Sequence, residues 1–332
     1  MLTVLIPTFN RPHLLRIALD SVTRQTYLQH IDKVVVSENG HNINSKSICD
    51  EFPQLNIEYV YQEHQLLVLE HLKWLMSRVK IGYVAFLCDD DWWNTCHIEL
   101  AMRGFEREPD CIAYFSNFVY ANDEHKVNFV SYVGAKLLSI EGSKGVNYDL
   151  QKYKKEDIFL FSFILTPFHF SALVSKAEYL VEAVNILDEV HPTYSDRALW
   201  PVLSLHGEIL FNPLATAIIR SHLSQDSNNY STSEWRSRNQ EGSLYILELA
   251  SKAGVEIKNR INHVYDSSTL DDRYELSNQL EYVFIDRRHL IWYKDYEYVT
   301  NLDRIKLEAE KREKSFVVSA SRKVRKILQK FM

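Results

Sequence analysis

Residues 83–93 read Tyr83-Val84-Ala85-Phe86-Leu87-Cys88-Asp89-Asp90-Asp91-Trp92-Trp93. An uncharged, mostly apolar run of this length predicts a strand buried on both faces, as in parallel sheets. Three consecutive carboxylates at the end of such a strand repel one another, and burial raises the cost unless a cation sits beside them. A solvated acidic loop would satisfy the same pattern, but the preceding run is too apolar to leave the turn in open water. A divalent metal is the simplest remedy. In an extended turn alternate side chains share a side, so Asp89 and Asp91 are expected to face one site and Asp90 to point away. Hard oxygen donors favour Mg²⁺ or Mn²⁺, which complete their shells with phosphate oxygens and water.

The pattern extends towards the N-terminus. Leu2 to Ile6 predicts a strand, and Leu14, Leu15, Ala18, Leu19 and Val22 form one helical stripe behind Pro12, a residue suited to a first helical turn. Val34 to Val36 and Ile57 to Tyr61 read as further strands, and Leu66 to Val79 as a helix. The expectation is an α/β fold: a mostly parallel sheet flanked by helices, with its ligand crevice beyond the carboxyl ends of the strands. Pro7-Thr8-Phe9-Asn10-Arg11, Ser37-Glu38-Asn39-Gly40 and Cys88-Asp89-Asp90-Asp91 should therefore converge. Further on, the sequence predicts a helix over Thr95 to Glu108 and a strand over Ile112 to Tyr120. An irregular polar stretch near Asn122 to Lys155 follows, then a strand over Phe170 to Val174 and a helix over Asp196 to Leu205. From about 230 the chain reads as helical. We expect a domain over 1–230 (halves 1–120 and 121–230), a helical region over 231–310 and a basic helix over 311–332.

Composition narrows the function. The chain has 332 residues, 46% of them apolar and 12% aromatic, which excludes a disordered or collagen-like polypeptide. Its nine glycines never form G-x-G-x-x-G or G-x-x-x-x-G-K, so neither the dinucleotide fingerprint nor the phosphate-cradling loop can be built. The four cysteines contain no C-x-x-C pair, which speaks against structural zinc or a disulfide framework and for a reducing cytoplasm. No apolar run approaches the length of a membrane span. The net charge of −6 argues against nucleic-acid binding.

Taken together and in order, Leu2-Thr-Val-Leu-Ile-Pro-Thr-Phe-Asn-Arg11, Lys33-Val-Val-Val-Ser-Glu-Asn-Gly40 and Tyr83 to Trp93 resemble the family 2 inverting glycosyltransferases of the GT-A fold. The resemblance is clear over the first 120 residues and looser to about 230. It implies transfer of a sugar from a nucleotide-diphospho-sugar, a UDP-sugar in the first instance, to a hydroxyl of a glycan or lipid-linked glycan, in polysaccharide or surface-glycan synthesis. It assigns Pro7, Thr8, Asn10 and Arg11 to the nucleotide. It places Glu38 where the family commonly has an aspartate facing the base. Asp89, with Asp90, is then expected on the ribose or metal-bound water, and Asp91 on the Mn²⁺ or Mg²⁺ that bridges the diphosphate. A cation suits this chemistry because the leaving diphosphate develops negative charge.

The attacking hydroxyl needs a carboxylate base. By resemblance that base is Asp196, in Tyr194-Ser-Asp-Arg-Ala-Leu-Trp200; the same residue would also serve as a helix N-cap, and Asp188 and Glu189 are nearby rivals. In Ile219-Arg-Ser-His222 the resemblance offers His222 as a further metal ligand and Arg220 as a diphosphate partner, whose planar fork can pair two oxygens. A lone histidine is also commonly structural. Trp92 and Trp93 could pack the core or form a sugar platform. The chain departs from the family at Gln62-Glu-His-Gln-Leu66, where many relatives carry Arg-Asn and Gly, and at Cys88, where a Gly is frequent. Two other readings compete: a dehalogenase-like phosphatase using the Asp-rich run, and an inactive nucleotide-sugar-binding module. The first wants a small hydroxyl residue where Trp93 stands and a later Gly-Asp pair, which is absent.

The tail has its own character. Residues 311–332 carry +7, leaving −13 on the rest. Phe316, Val317, Ala320, Val324, Ile327, Leu328 and Phe331 recur at helical spacing with cations flanking them, which predicts a basic amphipathic helix on an anionic membrane surface. The same helix could pack on the acidic body or bind a partner protein. The expected location is cytoplasmic, peripheral to the inner face of the cell membrane.

Overall fold

The computed structural model describes residues 1–40, 44–79, 81–122, 127–130, 149–164, 168–187, 195–221 and 232–257. The first half alternates β1 (Leu2–Thr8), α1 (Pro12–Thr23), β2 (Ile31–Glu38), α2 (Asn44–Asp50), β3 (Ile57–Tyr61), α3 (Val68–Ser77) and β4 (Tyr83–Phe86). These strands lie in the order β3-β2-β1-β4 and pair in parallel. Alternation along each strand feeds two cores. Leu5, Val35, Val84 and Phe86 face α3, while Val4, Ile6, Val34, Val36, Ala85 and Leu87 face α1 and α2. Gly82 immediately precedes β4 at φ +89°, and a Cβ there would sit 2.4 Å from the Met1 carbonyl. The close approach of the two strands at this point requires glycine.

The α/β sheet flanked by helices is as expected, and beyond β4 antiparallel strands join the parallel ones. The chain continues through β5 (Trp92–Trp93), α4 (His97–Arg107), β6 (Ala113–Ala121), β7 (Val127–Val130), β8 (Gln151–Tyr153) and α5 (Lys155–Ile164). It goes on through β9 (Leu173–Lys176), α6 (Ala177–Ile186), α7 (Ser195–Ser204), β10 (Ile209–Arg220) and α8 (Thr232–Lys252). The sheet runs on as β9-β6-β10-β5, with β7 beside β6 and β8 beside β10. β6 and β10 are parallel, but β9 enters antiparallel between β4 and β6. The result is a mixed sheet with helices on both faces.

Two shifts from expectation have local causes. α3 starts at Val68 rather than Leu66 because Asn39 pins Leu66: its side chain accepts from the Leu66 N–H at 2.8 Å and donates to the Leu66 carbonyl at 2.9 Å. The strand expected over Phe170 to Val174 instead begins with a 3-10 turn over Phe170–Ala172, tightened by the Ser171 N–H donating to His169 Nδ1 at 3.2 Å. α8 is joined to the body through Arg197 of α7, buried at 5% exposure. Its guanidinium donates to the carbonyls of Ser162 and Phe163 and, at 2.7 Å, to Ser243 Oγ. Ile246 and Ala250 of α8 complete the same core. Among the described residues no helix is long and apolar enough to cross a membrane. Residues 311–332 lie outside those described.

Candidate active site

The ends of β1 and β4 and the start of α3 enclose a cleft of about 590 Å³. Pro7, Thr8, Phe9, Arg11, Cys88, Asp89, Asp90 and Asp91 line it, so two of the three expected strand ends meet there, the first without Asn10. From the third, Asn39 reaches the cleft.

The Asp-rich run is a tight turn, not an extended one. The Asp91 N–H donates to the Cys88 carbonyl at 3.1 Å, so the alternation argument does not hold. Asp89 turns inward: its Oδ2 accepts from Thr8 Oγ1 at 2.7 Å and from the Phe9 N–H at 3.2 Å. Arg11 Nη1 lies 3.3 Å from its Oδ1 and 2.7 Å from Asp90 Oδ2, tying β1 to the acidic turn. Asp91 accepts from Ser171 Oγ at 2.6 Å and from the Arg220 N–H at 2.9 Å. Asp90, expected to point away, instead groups with Asp91. The Asp90, Asp91 and Cys88 donor atoms all lie within 4.8 Å of one another.

The electrostatics follow. Burial, reinforced by the charge of Asp90, pushes Asp89 up to about 7 against the pull of Arg11 and Thr8. The same two causes hold Asp91 well above the usual carboxylate range. Buried carboxylates held this high want a cation, and two hard oxygen donors fit Mg²⁺ or Mn²⁺. The Cys88 thiol, raised by burial and the surrounding acids, stays protonated and is a poor ligand for such ions.

The other candidates sort themselves by position. Arg220 is 3% exposed; its Nε donates to the Asp90 carbonyl at 3.0 Å, and its guanidinium lies 5.1 Å above the Trp92 ring. It braces the acidic turn. Trp93 packs in the core, stacked on His97 at 4.7 Å, with its indole N–H donating to the Ser171 carbonyl at 2.6 Å. Asp196 is the second residue of α7, inside the helix rather than before it; its side chain, Asp188, Glu189 and His222 lie outside the described residues.

Glu38 departs furthest from expectation. It is fully buried, and its carboxylate accepts from the N–H groups of Asn10 (3.1 Å) and Gly40 (2.8 Å) and from the Ser45 hydroxyl. Its charge organises the two loops instead of facing the cleft. Asn10 accepts the left-handed φ of +56° that this arrangement needs, a conformation asparagine tolerates.

Sequence reasoning missed Ser171 and His169. Ser171 is fully buried; it donates to Asp91 and accepts from the Cys88 N–H at 3.0 Å. His169 lines the cleft with Nδ1 3.6 Å from Asp91 Oδ2. Burial lowers it to about 4, so it stands there neutral. A lone Phe-His-Phe-Ser eighty residues from the acidic turn carries no sequence signal for this role.

Comparison with known proteins bears on the family and the fold. Over 99 residues the chain is 32% identical to Glycosyltransferase GlyA of Streptococcus pneumoniae serotype 4 (strain ATCC BAA-334 / TIGR4), a match covering 30% of this chain and 14% of that protein. Over 179 residues it is 27% identical to Chondroitin synthase of Escherichia coli, covering 47% of this chain and 25% of that one. It thus spans a quarter or less of these relatives. Among solved structures, S. aureus TarS 1-349 in complex with UDP-GlcNAc shares the fold. Its TM-score is 0.62 at 13% identity, over 87% of this chain and 77% of that chain. The sequence pattern of the family described as Glycosyl transferase family 2 matches residues 3–174, from β1 to β9 and so through the acidic turn and Ser171. That stretch is more than half of the chain and takes in the cleft, leaving the phosphatase reading without support: the chain belongs to glycosyl transferase family 2.

Proposed function

We propose that this protein transfers a sugar from a UDP-sugar to a hydroxyl of a glycan or lipid-linked glycan, with inversion at the anomeric carbon. The observation that carries the reading is the acidic turn: the carboxylates of Asp90 and Asp91 stand side by side, with Asp91 buried, at a cleft closed by the β1 end and α3. Support for the donor comes from TarS, which shares the fold and is described with UDP-GlcNAc.

Asp90 and Asp91 would hold Mn²⁺ or Mg²⁺, with His222 as a further ligand. The bound cation supplies charge neutralisation at the departing diphosphate. Thr8, Arg11 and Asp89 form the wall against which the nucleotide lies, and Arg220 keeps the acidic turn in place and offers positive charge beside the diphosphate. Asp196 takes the proton of the acceptor hydroxyl as its oxygen bonds to the anomeric carbon and the bond from that carbon to the phosphate oxygen breaks. One in-line displacement with no enzyme nucleophile inverts the centre.

The test is a transfer assay over a panel of nucleotide sugars with wild type and Asp196→Asn. Wild type should consume one UDP-sugar. The variant should bind UDP unchanged and lose about 10²-fold or more in kcat. Turnover of no donor would point to a binding module, and an undiminished variant would move the base to Asp188 or Glu189.

A further inference from the structure

His71 sits in the first turns of α3, 6% exposed, with its ring lining the cleft. Its Nε2 lies 2.8 Å from the hydroxyl oxygen of Ser37, at the end of β2. Ser37 is fully buried, and its oxygen also accepts from Gln62 Nε2 at 2.9 Å. Proton accounting then fixes the ring. A buried hydroxyl must donate as well as accept, and among the described residues the acceptor within its reach is His71 Nε2. With Nε2 accepting, the proton of the neutral imidazole is on Nδ1. That nitrogen has no hydrogen-bond partner among the described residues and is not sealed from solvent. Burial lowers the histidine to about 4, so the ring stays neutral at physiological pH.

His71 therefore offers the cleft an uncharged N–H donor, on the side of the β2 end. Glu38, the residue expected to face the base, is sequestered, so this end of the cleft needs another reader. We propose that His71 is a specificity-determining residue that donates from Nδ1 to a ring carbonyl of the donor nucleobase, with Ser37 and Gln62 as positioning residues that hold its tautomer. An N–H at this place pairs with the O4 carbonyl of uracil or thymine and meets the amino group of cytosine with a second donor. Leaving a buried donor unpaired is what rejects the wrong base.

The inference rests on the nucleotide-sugar reading, and the experiment separates the two. UDP and CDP are titrated calorimetrically, with Mn²⁺ present, into wild type, His71→Asn and His71→Gln. An asparagine amide nitrogen reaches the Nδ1 position, whereas the glutamine nitrogen reaches that of Nε2. Wild type should prefer UDP to CDP. His71→Asn should keep that preference, and His71→Gln should weaken UDP binding about tenfold, the scale of one lost hydrogen bond, and lose it. Nitrogen-15 NMR of wild type should show the proton on Nδ1, and Ser37→Ala should release it to both nitrogens. Equal UDP affinity in wild type and His71→Gln, or a proton on Nε2 in wild type, would overturn the assignment of His71. Absence of any nucleoside diphosphate binding by wild type would overturn the underlying functional reading instead.

Discussion

Asp89 and Asp91 look equivalent in the sequence and are not equivalent in the fold. Asp89 is a brace, held by Thr8, Phe9 and Arg11, while Asp91 stands with Asp90 at the cleft. Asp91→Asn keeps oxygen for Ser171 or Arg220 but removes charge, so transfer should drop by about 10²-fold with the fold intact. Asp89→Asn should act mainly through donor affinity, by loosening Arg11. Steady-state kinetics with Mn²⁺ titrated against each variant check this, and equal effects on kcat and KM for both would contradict it. His97 offers a test free of ligand. It is fully buried and pushed down to about 3, so between that pH and its ordinary value near 6.5 the unfolded chain binds a proton that the fold refuses. Its contribution to stability is present above pH 6.5 and is lost by about 1.4 kcal/mol per unit as pH falls. His97→Phe should lack that loss, and urea melts from pH 7 to 4 would show the two curves converging or crossing. Parallel curves would refute the assignment.

At the scale of elements, legibility followed burial. β1, β2 and β4 were visible because strands buried on both faces are unbroken apolar runs. α5 was not, because Lys155–Ile164 is apolar on nearly every face and shows no helical stripe. β10 was not read as a strand: Asn212 and Pro213 interrupt it, and the register slips between Asn212 and Ala215. The acidic turn itself was legible, but its shape was not, since alternation holds only for extended chain. Ser171 and His71 were hidden for another reason: each matters through a partner 34 or 80 residues away. Arg197, assigned no role from the sequence, is an internal clasp. Arg197→Met should remove the hydrogen bonds to the Ser162 and Phe163 carbonyls and to Ser243 Oγ from a buried site. We expect a loss of about 2–4 kcal/mol in denaturant unfolding, with proteolysis in α8 appearing first. Unchanged stability would mean that α8 does not depend on this clasp.

At the scale of the molecule, an acidic body of −13 carries a tail of +7. Residues 311–332 lie outside the described part of the chain, and their role as a membrane-surface helix is a proposal from the sequence. Their removal should abolish co-sedimentation with anionic liposomes at low salt and leave transfer to a water-soluble acceptor analogue nearly unchanged. Equal sedimentation of both forms would refute it. The proposed function depends above all on the acidic turn holding a cation against a nucleoside diphosphate. Calorimetric titration of UDP into the protein, first with Mn²⁺ and then with EDTA, tests that claim most directly. The account predicts binding with Mn²⁺ that weakens at least about tenfold on chelation and, in Asp91→Asn, becomes indifferent to the metal. UDP affinity that is the same with Mn²⁺ and with EDTA in the wild-type protein would contradict it.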